Sequence, residues 1–254
     1  MSPEQSKRFA SRKTARAGYR PSAGLWGKAG YAALFIVLVV TAAQCVRLGM
    51  AGLFVQTAQI EVEQWTAESR SPRKYEIRNA ADSFLDGLDY ASDNPWALEG
   101  LGALELARMH ASTDPREALA VTRSALVRFR QALLLRPTSA FLWANIALTK
   151  LYLDEIDGEL IAALRHADEL GPWEPTVQKR VLFVGLAVWK DLDPSMRQAL
   201  TKTLERGALR DAPEMLEIVK SYTRYDLVCA IEKYRIIAGP ACAMAAQAPR
   251  PANR

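Results

Sequence analysis

The sequence predicts an all-α chain, with one N-terminal transmembrane helix followed by a stack of α-helical hairpins. Three observations predict it. The run from Ala29 to Val46 holds 18 residues and no charge, which is long enough to approach the thickness of a hydrocarbon core. From Pro72 to about Lys233 no stretch alternates polar and apolar residues with period two, the mark of a half-buried strand. Polar residues followed by proline stand where helix starts need them, at Asn94-Pro95, Asp114-Pro115 and Asp193-Pro194.

The membrane helix follows from charge placement as much as from apolar length. Before Ala29 there are seven Lys or Arg and one acid, a net +6, which leaves 26 basic against 27 acidic residues in the rest. A near-neutral body offers phosphates no broad basic face, so nucleic acid is not an expected partner. At about 1.5 Å per residue the uncharged run spans about 27 Å, and Arg47 stands at its far end, where it can snorkel outward. The basic region is too long for a signal peptide, the apolar stretch continues past Val40, and Thr41-Ala42-Ala43 is a poor cleavage site. Gln44 before Cys45 likewise fits lipoprotein processing poorly. An uncleaved anchor is expected, with the basic N-terminus in the cytoplasm and the body across the bilayer. In a Gram-negative envelope this is a single-pass inner-membrane protein with a periplasmic domain.

The expected organisation is a basic tail over 1–28, a membrane helix over 29–55 and an amphipathic stem and linker over 56–72. A helical domain over 73–238 and a Pro- and Ala-rich, disordered tail over 239–254 complete it. Helices are expected at 75–91, 95–110, 116–135, 139–153, 157–170, 175–190, 194–207, 212–222 and 225–235. Their short connections make neighbours antiparallel. Cys45 lies in the span, so Cys229 and Cys242 are the one pair in the exported part. They either bridge in an oxidising compartment or stay apart as small buried residues, and the bridge is the favoured reading.

Repeats organise the middle of the chain. Ala125, Phe129, Ala132 and Pro137 stand at offsets 0, 4, 7 and 12, and Trp143, Ile146 and Ala147 follow that proline at 6, 9 and 10. Small residues at Ala125 and Ala132 let two helices approach, Phe129 fills the hollow, and Pro137 ends the helix so that Trp143 can begin the next hairpin. Leu164, Ala167 and Pro172 keep part of the pattern. The spacing resembles the tetratricopeptide repeat over about 95–190, and it implies a TPR-like solenoid. The longer phrases Leu135–Asn145, Leu170–Gln178 and Gly185–Trp189 resemble a family of single-span accessory proteins of bacterial exopolysaccharide biosynthesis, the VpsP type. That resemblance implies a setting in envelope polysaccharide assembly or export and no known chemistry.

Candidate chemistry is sparse. His110 and His166 each stand at a helix end with no second ligand three or four residues away, and the chain has no HExxH, CxxC, phosphate-loop or GxSxG motif. No metal, cofactor or catalytic residue is expected. The acids Asp154, Glu155, Asp157 and Glu159 are the densest carboxylate cluster; a solvated interhelical turn is the expected reading, and acid–base work on a sugar, with Glu174 as a further carboxylate, is the alternative. The expected function is therefore a non-catalytic adaptor whose groove, lined by Phe141, Asn145, Leu148 and Tyr152, receives an extended segment or helix of an envelope protein. A scaffold of a secretion, pilus or division machine fits the same repeat physics.

Overall fold

The computed structural model describes residues 25–67, 70–229, 231 and 242. The expected basic tail lies almost wholly outside them, as does the expected C-terminal tail apart from Cys242. Among the described residues every regular element is helical: α1 (Leu25–Ala67), α2 (Lys74–Tyr90), α3 (Pro95–Ala111), α4 (Pro115–Leu135), α5 (Ala140–Tyr152), α6 (Gly158–Leu170), α7 (Pro175–Ala187), a 3-10 turn (Trp189–Asp191), α8 (Pro194–Ser221) and α9 (Tyr225–Cys229).

The chain divides into two compact units, Met1–Val46 and Arg47–Arg254. In the first, the described helix exposes its apolar side chains, among them Leu34, Phe35, Ile36, Val37, Leu38, Val39 and Val40. Helix α1 holds a segment long and apolar enough to cross a membrane, within Lys28–Trp65.

In the second unit the stem of α1 packs on α2. Val55, Ala58 and Trp65 share a core with Ile77, Ala80 and Phe84 of α2 and Ala97, Leu101 and Leu104 of α3. Phe54 stacks on Tyr90 with ring centroids 5.6 Å apart. A second core joins α3 through α8, and a third joins α7, α8 and α9. Each helix from α2 to α8 packs on its successor, and α5 also packs on α7.

Local chemistry sets the boundaries. The carboxamide of Asn94 accepts from Trp96 N and Ala97 N, Asp114 accepts from Arg116 N, and Asp193 accepts from Met196 N, so all three polar–proline pairs cap helices. Asp154 turns α5 off at φ 57°, and Glu155 N donates to Lys150 O across 3.0 Å, closing a Schellman-type end without glycine. The expected helices 194–207 and 212–222 are the two parts of α8, which meet in a kink at Asp211 (φ −141°, ψ 70°), because Pro213 has no N–H to donate and the Asp211 carboxylate accepts from Glu214 N at 3.3 Å to start the second part. Two helix ends differ from expectation. The expected helix 175–190 stops at Ala187 and gives way to the 3-10 turn at Trp189. The expected helix 225–235 reaches only Cys229; Ile231 is a bend and residues 232–235 lie outside the described set. Cys229 and Cys242 are bridged, with Cys242 against the third core.

Candidate functional site

Three helices of the second unit begin at alike corners. Asn94 N donates to Ala91 O, Ser139 N to Arg136 O and Glu174 N to Gly171 O, and these residues are the N-caps of α3, α5 and α7. From each cap a helix presents the same face at the same offsets. Two positions on stand Trp96, Phe141 and Thr176; six positions on stand Gly100, Asn145 and Arg180. All six line one cavity of about 360 Å³, together with Phe84, Glu99, Ala103 and the stem residues Gln59, Val62 and Glu63.

The expected groove residues divide accordingly. Phe141 and Asn145 line this cavity. Leu148 is half-buried against the main core, and Tyr152 is 36% exposed, its ring edge-on to His110 at 5.4 Å. Of the repeat-packing set, Ala125, Phe129, Ala132 and Ala147 are buried, and Pro137 is exposed just past the end of α4. Trp143 is half-buried; its Nε1 donates to Pro137 O at 2.8 Å, and its ring packs on His166. Neither histidine is therefore solitary.

Sequence reasoning missed Arg180, the one basic residue of a cavity that Glu63 and Glu99 also line. Its Nη1 donates to Asn145 Oδ1 at 2.6 Å, across α7 and α5. Burial pushes the guanidinium below its usual range, opposed by the charges of Glu99 and Tyr152. Burial likewise raises Glu99, which receives Arg136 Nη1 at 2.9 Å, and the Arg136 guanidinium lies 3.6 Å over the Trp96 ring. Burial raises the Tyr152 phenol, with Arg180 working against the shift. The repeat interval would have found Arg180, since it follows Pro172 by the eight positions that separate Asn145 from Pro137.

The acidic corner is a solvent-facing turn whose acids also close on a buried lysine. Lys150, 1% exposed, places Nζ 2.9 Å from Asp157, 3.0 Å from Glu159 and 3.1 Å from Glu155. Burial opposes that charge, but hydrogen bonds to the three carboxylates outweigh it and hold the ammonium above the usual lysine range. Glu159 also receives the Arg130 fork, which is the first cause of its lowered pKa. Glu174 caps α7 through its backbone alone. Among the described residues no group of three His, Cys, Asp or Glu is placed to hold a metal ion. A second cavity of about 390 Å³ lies beside Ile77, Leu85, Arg108 and Ser112 and includes none of the expected site residues. No protein-family model matches the chain, and no curated protein matches it.

Proposed function

We propose that this protein is a non-catalytic, membrane-anchored adaptor whose TPR-like helical array holds a segment of an envelope protein in the groove along α3, α5 and α7. The observation that carries the reading is the sharing of one open cavity by the same two positions of three helices. Helices of a stacked array present such rows to an extended partner, and each row contributes one side chain per repeat. Equivalent latches support the repeat: Trp143 Nε1 donates to Pro137 O and Gln178 Nε2 to Pro172 O, each over six positions. The engagement of Glu155, Asp157 and Glu159 with Lys150 favours an adaptor over a glycan-active enzyme, because three of the four acids of that corner are closed on one cation and Asp154 alone makes no acid–base pair.

The setting rests on other grounds. The apolar helix with its basic N-terminal flank supports a single-pass inner-membrane anchor with the array in the periplasm. The phrases around Pro137 and Pro172 support a VpsP-type role in exopolysaccharide biosynthesis or export.

A photoreactive residue in place of Tyr152, crosslinked in native membranes, tests the reading. Capture of a polysaccharide polymerase, flippase or export component, lost when Asn145 is replaced, is the expected result. Capture of a secretion, pilus or division component would keep the adaptor and discard the polysaccharide setting. Capture of no protein would sink both.

A further inference from the structure

We propose that the groove reads an acidic side chain of the partner segment, whose carboxylate pairs with Arg180 while an apolar neighbour enters the cavity beside Phe141. The proposal rests on the adaptor reading and names the chemistry of its occupant.

Arginine stays charged throughout the physiological range, so a guanidinium drawn out of water needs an anion or several acceptors. Arg180 has the Asn145 carbonyl oxygen at 2.6 Å. Among the described residues no carboxylate lies within 4.0 Å of it. Glu99 acts on it only from longer range, and that carboxylate is already closed on Arg136. Lys150 faces three carboxylates and Arg206 meets Asp168 at 2.7 Å, whereas the half-buried Arg197 takes two main-chain carbonyls in place of an acid. Arg180 likewise has no carboxylate beside it, and of these four cations it is the one that lines the open cavity, whose other charged residues are Glu63 on the stem and the Arg136-bound Glu99.

A second donor has the same sense: with Oδ1 engaged by Arg180, the Asn145 amide has its N–H₂ left to donate. One positive charge on a planar fork matches a carboxylate, a planar monoanion with two oxygens, better than a dianionic phosphate. Phe84, Ala103, Phe141 and Val62 supply apolar wall around it. A peptide with an apolar residue beside its acid fills both parts, whereas an acidic sugar has no side chain for the wall.

The test uses the full chain in detergent micelles and a labelled glutamate–leucine alternating hexapeptide, blocked at both ends, with its glutamine–leucine counterpart as the neutral probe. The intact protein should prefer the glutamate peptide by at least about tenfold, as befits a charged hydrogen bond. In R180Q the preference should fall to within about twofold while the thermal transition is retained, and R180K, which keeps charge but not the fork, should fall between. If R180Q does not fold, the R180K result decides, and an unchanged preference there overturns the proposal. Equal binding of the two peptides by the intact protein also overturns it. So does tighter binding of oligogalacturonate, which would assign the site to an acidic glycan. Equal peptide binding together with protein capture from Tyr152 removes only the acidic assignment; loss of both removes the adaptor as well.

Discussion

Lys150 donates to Glu159 Oε2 at 3.0 Å from inside the α5–α6 hairpin, and the same carboxylate takes Arg130 of α4 from outside. A buried cation and a half-exposed one therefore share an acid that ties three helices.

Replacing Lys150 by methionine keeps the apolar stem and removes the charge. Complete loss of one partner of a buried pair costs about 3–5 kcal/mol, but here the acids are partly exposed and can rehydrate, so about 1–2 kcal/mol is expected. Chemical denaturation reads that loss. The same cycle run with E159Q should show coupling, with the second substitution costing less in K150M than alone; full additivity would mean that the pair contributes nothing jointly.

Acid should loosen the start of α8. Hydrogen bonds from Ser195 Oγ and Met196 N, with Arg165 beside them, hold the Asp193 carboxyl at about 2 against an ordinary 3.8. A folded pKa below the unfolded one adds stability above the unfolded value, and that contribution fades as pH falls from about 4 to about 2. D193N should thus melt lower than the parent at pH 7 and converge with it near pH 2. Parallel melting curves at the two pH values would contradict this.

Glycine at Gly100 makes room for an aromatic ring. A Cβ there would meet Phe84 Cζ at 2.3 Å and both Cε atoms at 2.6 Å, and Phe84 is fully packed. Alanine in a helix gains about 1 kcal/mol over glycine, while overpacking costs about 1–3 kcal/mol, so G100A should destabilise by about 1 kcal/mol. Adding F84L should recover part of that loss. A more stable G100A protein would show that the ring moves freely.

Helix positions were legible because their signals are local. Asn94-Pro95, Asp114-Pro115 and Asp193-Pro194 each combine a side-chain acceptor with a residue lacking the N–H that a first turn leaves unused, and α3, α4 and α8 start at those prolines. Ala125, Phe129 and Ala132 were legible as buried because one face of one helix carries them. The partnerships of Lys150 and Arg180 were not. The partners of Lys150 sit beyond a corner that reverses the chain, and Asn145 meets Arg180 from 35 positions away. Only the stacking of α7 on α5 brings that second pair together, and side-chain periodicity within one helix carries no trace of it.

The corners at Ala91–Asn94, Arg136–Ser139 and Gly171–Glu174 aim their helices with main-chain hydrogen bonds, while the residues two and six places later face the cavity. On the proposed adaptor reading, alignment rests on the corner backbone and recognition on side chains such as Phe141 and Thr176, while Gly100 also serves the packing of Phe84. Thr176 is exposed and takes no part in the corner hydrogen bond that aims α7, so under that reading partner choice would be open to evolutionary drift while the architecture persists.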